Sequence, residues 1–280
     1  KVPMQVATVI NMVNVVLSYA LIFGHFGFQP MGVIGAAWAS NIAQATGALL
    51  ALFIMLYRQD NLVFKLRGVR LVSEDVRALL GIGLPTAAEN ILMQLGQIML
   101  TGLVVSFGDT ALAAHQQGLT AESLSYMPAV GFSVAATAFV GQSMGAGSTK
   151  LAERYVKELA KWSLILTAFT ASFLVFTPKF VFGLLTNVPE VIELGAYYLI
   201  LMGLAQIPQQ LTSVFNGALR GAGDTKAPMV IGALGLWGIR LPFPYFLSLR
   251  LGWGIVGVWA AMTMDLFVRF SMSSLRFYRG

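Results

Sequence analysis

Glu122 stands near the middle of residues 115–147, HQQGLTAESLSYMPAVGFSVAATAFVGQSMGAG, a stretch long and apolar enough to cross a bilayer. An acid at mid-bilayer costs roughly 2.5–3.5 kcal/mol on insertion scales, so a retained one faces a cavity or a partner and marks an ion or substrate path. Steps of three and four residues put His115, Leu119, Glu122, Tyr126, Ala129, Ser133 and Thr137 on one helical face, with Pro128 interrupting the ladder beside them. A carboxyl in that setting can exchange a proton or attract a cation.

Two further polar stripes accompany it. Thr86, Asn90, Gln94, Gln97 and Thr101 share a face with Glu89 at its flank, and Gln206, Gln209, Ser213, Asn216 and Arg220 form another. Amides and hydroxyls hydrogen-bond varied ligands, and three such stripes predict one shared interior, neutral to acidic in character. Asp265 lies four residues before Arg269 near the end of a span, the spacing of an ion pair at the membrane interface. Arg240 falls within a span, where it pairs with an acid or snorkels, and His25 falls in an outer turn.

The elements that position these residues are membrane helices. The chain has 280 residues, 57% hydrophobic and 11% charged, which excludes an ordinary soluble domain and predicts an all-α polytopic membrane protein. Eight spans are expected, near residues 4–23, 32–57, 81–107, 111–142, 162–177, 194–219, 228–248 and 254–270. With the amino terminus in the cytoplasm, all but three of the 18 basic residues fall on cytoplasmic segments; Lys179, Arg240 and Arg250 are the exceptions. Both ends are therefore expected inside. Residues 58–77 read as a basic linker on the cytoplasmic surface, dividing the chain into residues 1–57 and 78–280.

An internal repeat links the two parts. Lys1, Val2, Pro3 and Met4 open a span as Lys226, Ala227, Pro228 and Met229 do, and GVIGAAWA from Gly32 is matched by GIVGVWAA from Gly254. The spacing differs slightly, as a short indel in the connecting turn would make it. The first copy starts at its equivalent of a fifth span, so the sequence predicts four further spans before Lys1, in a protein of two six-span halves. Pro85, Pro128, Pro208, Pro242 and Pro244 lie inside spans, and broken helices suit transporters that rock between two states.

No cysteine is present, which excludes disulfides, thiolate metal sites and cysteine nucleophiles. Neither a nucleophile elbow, a phosphate loop nor a metal-spaced histidine pair occurs, so the sequence points away from an enzyme and calls for no cofactor.

Four segments taken together, residues 115–147 above, GIGLPTAAEN from Gly81, LRGAGDTKAPM from Leu219 and GVIGAAWAS from Gly32, resemble the MATE (multidrug and toxic compound extrusion) transporters, a likeness running from the first residue to about Arg269. The resemblance implies twelve helices in two six-helix lobes, this chain holding the last two of the amino-terminal lobe and the whole carboxyl-terminal lobe. It implies antiport at the cell membrane, in bacteria the inner membrane: protons or sodium ions enter while organic cations or drugs leave. The partners implied are the lipid bilayer, small organic cations and an amino-terminal lobe of the same protein, without nucleic acid.

Two departures stand out. Many members carry an acid two turns after the Leu-Pro motif, where this chain has Met93, and some carry one eleven residues before the arginine of Leu-Arg-Gly, where it has Gln209. Glu122, with Glu89, is then the candidate for cation or proton coupling, and Glu122 for a sodium site, no other metal site being expected. His115, Tyr126, Asn90, Gln94, Gln97, Gln206, Gln209 and Ser213 are the candidates for the substrate cavity. The alternative is a flippase for lipid-linked saccharides, of the same broad superfamily, which would need a strongly basic cavity for pyrophosphate.

Overall fold

The computed structural model describes residues 2–27, 29–57 and 73–279, and every regular element among them is helical. Among the described residues eight helices are long and apolar enough to span a membrane, as the hydropathy predicted. They fall into two compact units, one before and one from Ser73.

The first unit is a hairpin of α1 (Val2–Phe23) and α2 (Gly32–Tyr57). Its turn closes where Met31 donates its N–H to the Leu21 carbonyl at 2.9 Å. The helices touch where α2 lacks side chains: a Cβ on Gly35 would lie 2.6 Å from the Leu21 carbonyl oxygen, and Gly47 makes room for the Ile10 side chain.

The second unit holds α3 (Ser73–Val105), α4 (Asp109–Gly145), α5 (Thr149–Phe176), the short α6 (Pro178–Gly183), α7 (Pro189–Gly221), α8 (Lys226–Arg250) and α9 (Gly254–Arg279). Helix α7 is its axis and packs on α4, α5, α6 and α9. Small residues permit this. A Cβ on Gly221 would sit 2.5 Å from the Thr137 carbonyl oxygen of α4, and Gly217, one turn earlier, accepts a hydrogen bond from Thr137 Oγ1 at 2.9 Å. Beyond that contact Tyr198, Leu199 and Met202 of α7 pack with Trp259 and Met262 of α9, Leu100 and Val104 of α3, and Phe182 of α6.

Helix α8 is irregular. It widens into π turns at Leu236–Arg240 and Tyr245–Arg250, seen in the bonds from Leu241 N–H to the Leu236 carbonyl at 3.0 Å and from Leu251 N–H to that of Phe246 at 3.2 Å. Pro242 and Pro244 lie between these turns and supply no N–H of their own, so the ladder is relaid around them. The turn from α7 to α8 uses Gly223 at φ 90 and is tied to the end of α9: Asp224 accepts from the Ala227 N–H at 3.1 Å and from Arg276 Nη2 at 2.7 Å. Partial burial opposes ionisation of Asp224, but the bonds from Arg276 and from the Ala227 and Lys226 backbone outweigh it and hold the carboxyl below the usual carboxylate range.

The repeat is visible in the packing. Counted from Gly32 and Gly254, Gly35 corresponds to Gly257, which presses on the backbone of Leu247 and Ser248 as Gly35 presses on that of Leu21. Counted from Lys1 and Lys226, Leu21 corresponds to Phe246, so the contact falls one residue late, which the first wide turn of α8 accounts for. The drift in spacing is thus the net of a longer helix and a connection shortened by more, residues 251–253 against 24–31.

Helix ends differ from the hydropathy bounds. Helix α5 begins at Thr149, well before residue 162, α9 runs to Arg279, and α3 starts at Ser73 within the predicted linker. Hydropathy stops where charges begin, but backbone hydrogen bonding continues beyond the apolar zone. The rest of that linker, residues 58–72, lies outside the described residues.

Candidate functional site

A cavity of about 320 Å³ opens between α3, α4, α7, α8 and α9, and its charge is mostly positive. Glu89 on α3 and Arg220 on α7 face each other across it, Arg220 Nη2 donating to both carboxylate oxygens at 2.8 Å. Behind its wall Asp265, with no exposed surface, serves two cations. Arg269 Nε donates to Oδ1 at 2.7 Å, while Arg240 Nε stands 2.7 Å from Oδ2 but off the line of its N–H, a charge contact rather than a hydrogen bond. Gly235 of α8 lets this cluster form, because a Cβ there would fall among the Asp265 and Arg269 side-chain atoms.

The sequence predicted an Asp265–Arg269 pair near the end of a span; the pair exists, is buried among the helices and has Arg240 as its third member. The expectation of a neutral to acidic interior is corrected in the same way. Arg220, Arg240 and Arg269 all line this cavity. The signal was available: two arginines inside apolar spans with one aspartate between them must share it.

A second cavity of about 200 Å³ adjoins the first, the two having Tyr126, Gln209, Arg240 and Leu266 in common. Glu122 lines it and is only 8% exposed. Tyr198 of α7 donates its hydroxyl to Glu122 Oε2 at 2.7 Å. The Tyr198 ring fits because Gly118, one turn before Glu122, has no side chain: a Cβ there would be 2.7 Å from Tyr198 Cε1. His115 and Trp259 meet that ring edge-on, at centroid distances of 5.7 and 5.4 Å. Trp259 Nε1 donates to His115 Nδ1 at 3.3 Å. Sequence reasoning missed Tyr198, although a phenol in a membrane helix needs an acceptor and Glu122 supplies one.

The predicted cavity residues separate into groups. Tyr126 and Gln209 line both cavities, Ser213 the first and Gln97 the second. His115 and Gln206 are buried in the wall and line neither. Asn90 and Gln94 are exposed and line neither. Glu89, Met93, Gly96, Gln97 and Leu100 share one face of α3, so Glu89, expected at the flank of the polar stripe, lies on the face that lines the cavities. Glu89 and Glu122 line different cavities and hold different partners. Met93 lies against Arg269, its sulfur accepting from Nη1 at 3.4 Å. Among the described residues no three His, Asp or Glu side chains gather as a metal site would require.

Membrane-length helices enclosing polar, charged cavities define a polytopic all-α membrane protein. The chain belongs to the MatE family, whose model matches residues 85–246. It is 33% identical to the probable multidrug resistance protein NorM of Thermotoga maritima over 100% of its own length and 60% of the relative's. It is also 30% identical to the uncharacterized transporter YisQ of Bacillus subtilis, over 92% and 57%. The chain thus spans about 60% of the length of the curated relatives it matches. Among solved structures, a MATE protein in its bent conformation superposes with a TM-score of 0.87 at 18% identity, over 99% of this chain and 61% of that one. A MOP superfamily transporter from Pyrococcus furiosus, described as having a binding pocket of reverse polarity that suggests a different function, does so at 0.89, 17%, 99% and 61%. These likenesses establish the fold.

Proposed function

We propose that the protein is a secondary antiporter that exports organic cations, drugs among them, in exchange for protons or sodium ions across the bacterial inner membrane, with both ends of this chain cytoplasmic. The family and the multidrug resistance names of its relatives support the class. The observation that carries the mechanism is Glu122, a nearly buried carboxyl on the wall of a cavity, with one oxygen held by Tyr198 and the other left for a proton or a cation. Proton and organic cation compete for that carboxylate. Such competition drives exchange when the cavity opens alternately to the two sides, each ligand loading the state that faces its own compartment. Tyr126 and Gln209, which line both cavities, can contact a substrate in either. Glu89, neutralised by Arg220, tunes the field at Glu122.

The flippase reading gains one observation, the arginines of the larger cavity. Arg220 is matched by Glu89, however, and Asp265 offsets one of the other two, leaving less positive charge than a pyrophosphate requires.

The test is efflux of ethidium from vesicles containing the protein expressed from its complete gene, under proton and sodium gradients imposed separately. Glu122→Gln keeps the shape and the Tyr198 contact but not the titrating charge, so gradient-driven efflux should fall to background while the unfolding temperature holds. Wild-type efflux from a folded Glu122→Gln protein would refute the assignment.

A further inference from the structure

A third pocket, of about 130 Å³, lies apart from both charged cavities, between α4, α5 and α6. Its α4 wall is Ala121, Leu124 and Ser125, whereas the larger cavity takes Tyr126, Val130 and Ser133 from the opposite face of the same helix. Phe169, Phe173, Leu174 and Val181 complete an apolar enclosure, and at its mouth Leu124 and Phe169 are 79% and 75% exposed. Both lie well inside helices of membrane length, so the mouth opens at bilayer depth.

The polar atoms of this pocket can only accept. Thr170 Oγ1 donates to the Thr167 carbonyl at 3.2 Å, and a carbonyl has no proton to give, so the 2.7 Å bond between the two hydroxyls takes its proton from Ser125. Both hydroxyl protons are thereby spent, while a lone pair remains on each oxygen. The Leu124 carbonyl is a further acceptor, because Pro128, on the same face of α4, has no N–H to offer it. Acceptors without donors are costly in hydrocarbon, where water is scarce. No ionisable side chain lines the pocket, so a charged ligand would find no counter-ion there. Its size suits one ring, since a cavity of about 150 Å³ holds benzene.

We infer that this pocket binds small phenols drawn from the bilayer, the ring against Phe169, Phe173 and Leu174 and the hydroxyl donating to the Ser125–Thr170 pair. A plain hydrocarbon fills the same space but leaves the acceptors unmet. The site uses neither Glu122 nor the arginines, and so stands whether or not the protein exchanges cations.

Fluorine NMR titration tests this on the protein expressed from its complete gene, in phosphatidylcholine nanodiscs, with 4-fluorophenol and its isostere 4-fluorotoluene at matched concentrations in the lipid. One neutral hydrogen bond is worth about 2- to 10-fold in affinity, and the phenol should bind more tightly by that factor. Ser125→Ala combined with Thr170→Val should remove the preference and leave 4-fluorotoluene binding as it was. Replacing both partners of a hydrogen bond with apolar groups of like shape is close to neutral for stability, so this protein should fold, which its unfolding temperature checks. Leu124→Trp, at the exposed mouth, should weaken both probes. Ser172→Ala should change neither, since that hydroxyl is exposed on α5 and bonded to the Ala168 carbonyl of its own helix. Equal affinity for the two probes, or a preference that survives the double substitution, would overturn the inference. Failure of both probes to bind, the result expected if a lipid acyl chain fills the pocket, would overturn it as well, and so would unchanged binding in Leu124→Trp.

Discussion

Removing the carboxylate of Asp265 should be among the most damaging single changes in the chain. Asp265→Asn preserves volume but leaves Arg240 and Arg269, each 2.7 Å from the same carboxylate, facing one another without an anion. Two guanidiniums so held are about 5 Å apart, and at an effective dielectric constant of 20 their repulsion is about 3 kcal/mol. That agrees with the roughly 3–5 kcal/mol found when one partner of a buried ion pair is deleted. For a unit of this size about 2–4 °C accompanies each kcal/mol, so the unfolding temperature should fall by roughly 6–20 °C. Intrinsic tryptophan fluorescence reads it, Trp259 lying on the same helix. Arg240→Gln leaves a balanced Asp265–Arg269 pair and should cost far less, and combined with Asp265→Asn it should restore much of the loss. An Asp265→Asn protein that unfolds within about 2 °C of wild type, or one that Arg240→Gln does not rescue, would refute the shared-carboxylate account.

The glycine before Glu122 offers a steric test: Gly118→Ala places a methyl group in the Tyr198 ring, which His115 and Trp259 hold on its other edges. Overpacking of about 1–3 kcal/mol should lower the unfolding temperature, whereas Gly131→Ala on the same helix meets open space and should not; equal stability of the two variants would contradict the packing. Orientation is tested by single cysteines, clean here because the chain has none. A cysteine at position 150 should react only with a membrane-permeant reagent and one at position 187 with an impermeant one, and the reverse pattern would invert the proposed topology.

Glu122 was legible from sequence because the cost of an acid in hydrocarbon needs no knowledge of neighbours. The eight spans were legible for a similar reason. Which side of α3 turns inward was not, because nearly every face of a membrane helix is apolar and the spacing of a few amides does not distinguish a cavity from a neighbouring helix. Asn90 and Gln94 are exposed and line neither cavity, while Glu89, one residue round the helix, lines the larger one. Tyr198 and Arg240 acquire their roles only from pairings between α7 and α4 and between α8 and α9. Even the correct pairing of Asp265 with Arg269 left its depth open, since a four-residue spacing is the same at an interface and in an interior.

The glycine under the Asp265 cluster carries a lesson about duplicated segments. Counted from Lys1 and Lys226, Ile10 of α1 corresponds to Gly235 of α8, and counted from Gly32 and Gly254, Gly47 of α2 corresponds to Arg269 of α9. The two hairpins therefore meet at the same crossing, one with Ile10 seated over Gly47 and the other with Arg269 seated over Gly235. Bulk and vacancy have changed places between sister copies. A crossing that needs one large and one absent side chain can be built either way round, and the choice decides which helix is free to bring a long side chain into the bundle. In the second copy the vacancy lies on the helix with the wide turns, and the long side chain is an arginine. The second crossing thereby carries a charge where the first carries a hydrocarbon side chain.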